Sequence, residues 1–305
     1  MLFLFLSYLF LPFSLAYPSL STPSSSEDPI KALFLFKDVL SSNTTAITTT
    51  GFNTLLIFNV EVTNTSDLVY PRRTGVGDDI STPLVSNGTY ISNTNTTLLA
   101  SQIRSLKSLP NSQISRVEVT LVSGYPTFEN IRDAINRDGI SPDTTLYRNF
   151  AALKEAWGID AINNDDEGVY DIPSTILFSH MLGNMGYQLS GAPYTNITFW
   201  KNVTQTVNSQ TPGLWDRMYL QCYDGGSGND PTEWEEGVGM KTVPLLWVTN
   251  DAKPAEGKTP MEAEVVFEGY ERDAVVGGGY WNDYDIEKLG GSYEEYEGVL
   301  EKVFG

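Results

Sequence analysis

The residues best suited to chemistry in this sequence form an acidic cluster that ends at Glu167. The segment 157–168 reads WGIDAINNDDEG, apolar and strand-like in its first half and acidic in its second. Side chains alternate along a strand, so Asn163, Asp165 and Glu167 are predicted to point the same way. Neighbouring carboxyl groups cannot all ionise comfortably, and proteins keep such groups mainly where a raised pKa is useful. The spacing therefore indicates general acid–base chemistry.

Two plainer interpretations compete with that one. The pattern from Asn163 to Gly168 could begin a calcium loop, because the glycine stands at the sixth position. However, the twelfth position is Ser174, where such a loop needs a bidentate glutamate. The segment could also be a solvated acidic loop after a strand. Acids at alternate positions following an apolar strand favour an inward-facing cluster over such a loop.

Composition excludes several other kinds of site. The only histidine is His180, which removes Ser-His-Asp triads, Cys-His pairs and most zinc sites. The only cysteine is Cys222, which excludes an intramolecular disulfide. A net charge of −19 argues against nucleic acid or an anionic membrane as the partner. Carboxyl groups remain as the general acids, and we expect no metal or organic cofactor.

The N-terminal region and the sequons predict an exported glycoprotein. Residues 1–16 are apolar, too short to cross a bilayer, and end in small residues, which is typical of a signal peptide. Residues 17–29 are rich in serine and proline and are predicted to form a flexible leader. Six Asn-x-Ser/Thr sequons are candidate glycosylation sites: Asn43, Asn64, Asn87, Asn95, Asn196 and Asn202. We therefore expect the protein to be secreted.

The remaining residues, 30–305, predict a single α/β domain. Eight runs have the length and composition of strands, and they are 32–36, 54–62, 116–123, 158–165, 187–194, 218–223, 243–248 and 274–281. Helical stretches lie between several of them, at 128–136, 146–156 and 175–186. Such alternation indicates parallel strands covered by helices, and eight units close a TIM (β/α)8 barrel. The sequon-rich stretch 63–99 is predicted to be an excursion after the second strand. In a barrel, the acidic cluster at the end of strand four lies at the C-terminal mouth, where such enzymes place their sites.

The acidic cluster also resembles a known signature. Asp160-x-x-Asn163-x-Asp165-x-Glu167 is similar to the Asp-x-x-Asp-x-Asp-x-Glu motif on strand four of glycoside hydrolase family 18, which contains chitinases and endo-β-N-acetylglucosaminidases. Three further matches follow in the same order, namely Ala192-Pro193-Tyr194, Gln221-Cys222-Tyr223-Asp224 and the run from Gly277 to Trp281. Two departures stand out. Asn163 replaces the second Asp of the motif, and 122–125 is only a fragment of the Ser-x-Gly-Gly expected after strand three.

The resemblance implies substrate-assisted catalysis with retention of anomeric configuration. Glu167 would be the general acid and then the general base, and Asp165 would hold the acetamido nitrogen of the sugar. Tyr223 would donate a hydrogen bond to the acetamido carbonyl group, and Trp281 would stack under the ring. Substrate-binding residues implied by the same matches are Gln221, Asp224, Tyr194 and Asp160.

Asn163 prompts a separate hypothesis. An amide cannot ionise, but it can donate a hydrogen bond to Asp165 and favour its charged form. On that hypothesis Asp165 stays ionised and raises the pKa of Glu167.

The predicted function is hydrolysis of β-linked N-acetylhexosamine glycans, with chitin or a related polymer as the first candidate. Three alternatives stay open: cleavage of the chitobiose core of N-glycans, hydrolysis of another polysaccharide, and a barrel that binds sugar without catalysis. The expected partner is a polysaccharide or glycan, and we expect a monomer.

Overall fold

The computed structural model describes residues 28–73, 80–123 and 125–305. The predicted signal peptide and most of the predicted leader lie outside these residues. Within them the strands are β1 (Ile30–Leu35), β2 (Thr54–Val62), β3 (Leu68–Arg72), β4 (Ile80–Ser86), β5 (Thr89–Tyr90), β6 (Arg116–Val122), β7 (Ala161–Asp165), β8 (Gln188–Gly191), β9 (Trp215–Gln221), β10 (Val243–Trp247) and β11 (Gly277–Trp281). The α-helices are α1 (Thr44–Thr49), α2 (Thr94–Ser105), α3 (Thr127–Asp138), α4 (Thr145–Trp157), α5 (Ile172–Asn184), α6 (Ile197–Gln210), α7 (Pro231–Val238), α8 (Pro260–Glu268), α9 (Asp283–Lys288) and α10 (Tyr293–Phe304).

Eight of the described strands close a parallel barrel surrounded by helices, as the sequence predicts. Around the barrel they run β1, β2, β6, β7, β8, β9, β10 and β11, and β11 pairs with β1 to complete the ring. All carboxyl ends of the strands therefore meet at one mouth, which is where side chains from different strands can converge.

Each predicted strand corresponds to one strand of the barrel, with differences at the ends. The fourth begins at Ala161 rather than at Gly158, because Gly158 takes a left-handed conformation (φ 65°) that ends α4. The fifth is shorter than predicted and ends at Gly191, just before the Ala192-Pro193 pair. Proline lacks the N–H group that a central ladder needs, so the strand stops there.

The sequon-rich excursion after the second strand continues the sheet. Strands β3, β4 and β5 extend β2 in antiparallel pairs, starting from the Glu61–Val69 pair. Buried residues of this extension pack against the helices that surround the barrel. The Tyr70 ring meets Trp157 edge to face at 5.8 Å, and the Trp157 indole N–H donates to the Tyr90 hydroxyl group at 3.0 Å.

Two apolar layers hold the barrel together. The larger lies between the strands and the helices and contains fully buried Trp200 and Trp215. The smaller fills the barrel interior, where Phe34, Phe58 and Leu245 meet. Dense packing in both layers stabilises the strands that carry the mouth. No helix of the described ranges is long and apolar enough to cross a membrane.

The floor of the barrel is polar and charged. Glu118 is fully buried there, accepting a hydrogen bond from Arg116 Nε at 2.7 Å and another from the Tyr219 hydroxyl group at 2.7 Å. Arg116 also binds Asp216 through both terminal nitrogens, at 2.5 and 2.8 Å. A buried carboxylate is tolerated when such partners compensate it, so the floor is a closed ion-pair network.

Candidate active site

Asn163, Asp165 and Glu167 rise from the inside of the barrel to its mouth along β7. Asn163 is fully buried and Asp165 is 7 % exposed, whereas Glu167, in the loop after the strand, is open to solvent. The gradient follows from the alternation of the strand and from its end at Asp165. One buried and one accessible carboxyl group thus lie next to each other at the mouth.

Gln221, at the end of β9, joins the two carboxyl groups. Its side-chain nitrogen lies 3.1 Å from Asp165 Oδ1, 3.2 Å from Glu167 Oε1 and 2.8 Å from the carbonyl oxygen of Ala192. An amide nitrogen carries two hydrogens, so it cannot satisfy three acceptors fully at once. The contacts nevertheless turn Asp165 and Glu167 toward each other across one shared donor.

Burial and neighbouring acidic charges raise the pKa values of both carboxyl groups. For Asp165, burial is the first cause, and the charges of Glu167 and Asp166 add to it. For Glu167, the partial loss of water contact raises the pKa, the hydrogen bond from Gln221 opposes the rise, and the charge of Asp224 adds to it. The pair therefore retains a proton more readily than ordinary carboxyl groups do. The raised pKa of Asp165 runs against the hypothesis that this carboxyl group stays ionised.

The predicted hydrogen bond from Asn163 to Asp165 is wrong. The Asn163 amide nitrogen donates to the Ser190 hydroxyl oxygen on β8 at 2.8 Å and not to Asp165. The amide oxygen of Asn163 is buried and has no hydrogen-bond partner within the described ranges. Nothing in the sequence of β7 alone indicates that Ser190 takes the donor.

Asp166 and Ser123 hold the loop that presents Glu167. The Asp166 carboxyl group accepts the backbone N–H groups of residues 168–170 at 3.0, 2.8 and 2.8 Å. The Glu167 N–H group donates to Ser123 Oγ at 2.7 Å, so the fragmentary motif after β6 still supplies one contact. The sequence motifs assign Asp166 no role, although an aspartate side chain commonly accepts the backbone N–H group two residues further on.

The calcium-loop alternative does not describe this segment. Ser174 lies in the first turn of α5, where its N–H group donates to Asp171. A twelve-residue cage would need that position to close over the same ion as Asn163 and Asp165. In the described part of the chain, no three or more His, Cys, Asp or Glu side chains are arranged to hold a metal ion.

Trp281 closes one side of the mouth and stands on aromatic rings. It is half-buried and meets Phe34, Phe36 and Phe58 edge to face, with ring centroids 5.4, 5.3 and 4.7 Å away. Trp247 lies beside it in register on the neighbouring strand. A ring fixed on several sides is suited to stack against a flat apolar ligand face.

Tyr223 follows Gln221 on the same side of the chain and is 8 % exposed. Burial raises its pKa well above the ordinary tyrosine value, and the charges of Asp165 and Glu167 raise it further. Its hydroxyl group therefore keeps its proton and remains a donor. The ring rests against Trp247, with centroids 5.7 Å apart.

Asp224 and Tyr194 lie on the rim. Asp224 is exposed and pairs with Lys253 Nζ at 2.5 Å. The Tyr194 ring lies close to Gly225, where an added Cβ would approach it to 2.9 Å. Sequence reasoning missed Tyr170, whose pKa is raised by burial first and then by Tyr194 and the nearby acids, which places its hydroxyl group near the site.

Asp160 requires a correction. It precedes β7 at the opposite end of the strand from Glu167. Its carboxyl group accepts Lys107 Nζ at 2.7 and 2.9 Å and the Val117 N–H group at 2.8 Å. These contacts join β7 to β6 and to the chain after α2, so Asp160 supports the strand and does not line the mouth.

Other residues lie outside the mouth. Cys222 contacts the outer layer, and burial raises its pKa to about 12, which makes it a poor nucleophile. Trp157, Trp200 and Trp234 are core residues of the outer layer. The six sequon asparagines are all exposed. Their glycosylation stays a prediction.

No family model matches the sequence, and no curated protein matches it. Solved structures do match the fold. A plant class V chitinase mutant from Cycas revoluta, in complex with (GlcNAc)3, is 9% identical with a TM-score of 0.59, covering 90% of this chain and 100% of that one. A family 18 chitinase from the chitin utilization locus of Flavobacterium johnsoniae is 12% identical, with a TM-score of 0.54 and coverage of 91% and 94%.

A third similar structure is a chitinase-like agglutinin from Robinia pseudoacacia. It is 9% identical, with a TM-score of 0.58, and the match covers 90% of this chain and 99% of that chain. The chain therefore has the fold of the family 18 chitinases and chitinase-like proteins. At these identities the likeness concerns the fold alone.

Proposed function

We propose that this chain is a retaining glycoside hydrolase that cleaves β-linked N-acetylhexosamine glycans, with a chitin-like polymer as its substrate. The observation that carries the proposal is the Gln221 amide, which holds Asp165 and Glu167 together at the mouth of a chitinase-like barrel. One proton shared by two carboxyl groups is the supply that a general acid needs. The Trp281 ring supplies a flat apolar surface beside it.

In the proposed reaction, Glu167 donates its proton to the glycosidic oxygen as the bond to the anomeric carbon breaks. The acetamido oxygen of the same sugar attacks that carbon and forms a cyclic oxazolinium ion. Asp165 accepts the acetamido N–H group, and the neutral Tyr223 hydroxyl group donates to the acetamido oxygen. Glu167 then removes a proton from the water that opens the ring. Gln221, Asp224 and Tyr194 would contact the sugar around these atoms.

The buried position of Asp165 suits this sequence of events. An arriving N–H donor favours the charged form of Asp165, so the shared proton moves to Glu167, where it is needed. The step requires no metal or organic cofactor. The acidic net charge of −19 suits a neutral or cationic polymer better than an anionic one.

A substrate screen tests the proposal with Glu167→Gln as the matched variant. Glutamine keeps the size of the side chain and an oxygen that can accept from Gln221, but it has no acidic proton to transfer. We expect the wild type to hydrolyse chitooligosaccharides and the variant to lose at least about a hundredfold in rate. Turnover of an N-glycosylated protein instead would favour the chitobiose-core alternative. Equal turnover by both proteins, or hydrolysis only of polysaccharides without N-acetyl groups, would contradict the proposal.

A second candidate function is sugar binding without catalysis. Its support is the similar fold of a protein named as a chitinase-like agglutinin, together with Asn163 in place of an acid. Isothermal titration with chitooligosaccharides distinguishes the two candidates. Binding by the wild type without any turnover would favour this one.

We also propose that the protein is exported as a glycosylated monomer, with residues 1–16 removed. Support comes from the composition of that segment and from the exposure of all six sequon asparagines. Expression in a eukaryotic secretory host, followed by mass spectrometry before and after deglycosylation, tests it. A secreted product with no added glycan mass would contradict the glycosylation, and retention of residues 1–16 would contradict the cleavage.

A further inference from the structure

A continuous chain of hydrogen bonds runs from the floor of the barrel to the strand of the catalytic acids. Glu118 is fully buried and is fixed by Arg116 and Tyr219, each at 2.7 Å. Its other carboxyl oxygen, Oε2, accepts the hydroxyl group of Ser190, which is also fully buried. Ser190 Oγ in turn accepts the Asn163 amide N–H group at 2.8 Å.

The direction of these bonds orients the amide. A serine hydroxyl group has one hydrogen, and Ser190 gives it to Glu118. The Ser190 oxygen can therefore only accept from Asn163, and only the nitrogen end of the amide can meet it. Of the two possible orientations of the Asn163 amide group, one is therefore selected by Glu118, which acts through Ser190.

This orientation directs a donor away from Asp165. The two residues lie two positions apart on β7, so their side chains share the inner face of the barrel. Asp165 instead contacts Gln221 on β9, which also contacts Glu167.

We propose that Ser190, held by Glu118, is a positioning residue that engages the Asn163 donor and so keeps Asp165 paired with Gln221 and Glu167. The inference rests on the proposed function, because pairing Asp165 with Glu167 serves catalysis only if Glu167 is the general acid. Its geometry is independent of any substrate.

Thr120 offers a matched control. It pairs with Asn163 in register on the other side, on β6, just as Ser190 pairs with it on β8. Both residues are fully buried. The Thr120 hydroxyl group, however, has no hydrogen-bond partner within the described ranges. Removing it deletes a buried hydroxyl group from the same layer without releasing the amide.

The groups that titrate around Asp165 come from several elements. Glu167 and Asp166 follow it on its own loop, and Tyr170 lies further along that loop. Tyr223 faces it from the chain after β9. Both tyrosines stay neutral at acid and neutral pH. A change in the pKa of Asp165 between variants therefore reports its hydrogen bonds and the charges of the two neighbouring acids.

The test is a titration of side-chain carboxyl groups by 13C NMR, with Asp165→Asn used to assign the Asp165 signal. In Ser190→Ala we expect the freed amide to donate to Asp165 and to lower its pKa by about 1. Thr120→Val should leave the titration at its wild-type position, and Ser190→Thr, which keeps a hydroxyl group, should restore it. An unchanged Asp165 pKa in Ser190→Ala, or an equal change in Thr120→Val, would overturn the proposal.

If the Ser190 variant does not fold, a measurement on the wild type still tests the proposal. The Asn163 side-chain NH2 signals should show one amide orientation, with one hydrogen protected from exchange by its bond to Ser190. Rapid exchange of both hydrogens would refute the inference. Neither measurement uses a substrate, so failure to cleave chitooligosaccharides would sink the proposed function and leave the role of Ser190 standing.

Discussion

Carboxyl groups lie at both ends of the barrel, its floor and its mouth, in different surroundings. At the floor, Glu118 and Asp216 each bind Arg116. At the mouth, Asp165 and Glu167 meet no such cation among the described residues and share the neutral amide of Gln221. At the floor a cation opposes the rise in pKa that burial causes, whereas at the mouth burial and neighbouring acids raise the pKa values of Asp165 and Glu167 with only the neutral Gln221 amide nearby. The floor therefore contributes to the stability of the fold, and the surroundings of the mouth suit the proton transfer that we propose.

The largest expected effect comes from breaking the floor. Arg116→Ala leaves the fully buried Glu118 without its main partner, which costs about 3–5 kcal/mol of the free energy of unfolding. Urea denaturation measures it. Adding Glu118→Gln should recover part of the loss, because no buried charge is then left unpaired. A loss below about 1 kcal/mol in the single variant would remove the distinction between floor and mouth.

At the mouth, loss of a carboxyl group should have the opposite sign. The folded-state pKa of Asp165 is raised, so its contribution to stability is full below the unfolded pKa of about 4 and is lost as pH rises through the folded value. Asp165→Asn should remove that decline and stabilise the protein by about 1 kcal/mol at neutral pH. Urea denaturation at several pH values checks this.

The Asp165→Asn experiment needs the wild type as its reference, because another acid titrates in the same window. Burial raises the pKa of Asp283 to about 7, and its effect on stability has the same sign. Asp283 is present in both proteins, so its effect cancels in their difference, which reports Asp165 together with its coupling to Glu167. A variant that is destabilised at neutral pH would contradict the account of the mouth.

The aromatic side of the mouth should matter for binding more than for folding. Trp281→Ala is expected to weaken chitooligosaccharide binding by about 1–2 kcal/mol, roughly tenfold, as measured by isothermal titration. Trp234→Phe serves as a control, because Trp234 is buried in the outer layer and should change stability but not affinity. Unchanged affinity in Trp281→Ala would show that the ring does not form the sugar platform.

The smallest effect is expected at Asp160. Its ion pair with Lys107 is partly exposed, with 33% and 35% of the side chains accessible, so Asp160→Asn should cost less than about 1 kcal/mol. Hydrolytic rates should stay at the wild-type level. A large drop in kcat with unchanged stability would restore Asp160 to the site.

The fold could be predicted from the sequence because its signals are local. Most barrel strands contain a short apolar or β-branched run, and helical stretches separate several of them. The β3–β5 extension was harder, because Pro83 and many polar residues interrupt the strand pattern there. Its antiparallel pairing depends on partners that only the folded chain supplies.

The site was predictable where spacing along one strand decides the geometry. Alternation placed Asn163, Asp165 and Glu167 on one side of the strand. Asp160 lies seven residues before Glu167, roughly 23 Å along an extended chain, so the length of the strand alone places it far from the mouth. The resemblance to the motif did not take that distance into account. The Asn163 contact depends on Ser190, which faces it from a neighbouring strand. Whether the Asn163 amide donates to Asp165 or to Ser190 is decided by the packing of side chains from different strands.

The most direct test of the central claim is the anomeric configuration of the first product, followed by 1H NMR during hydrolysis of a chitooligosaccharide. If Asp165 and Glu167 act as proposed, attack by the acetamido oxygen and then by water predicts that the β-anomer forms first and later mutarotates. Initial formation of the α-anomer would contradict the account.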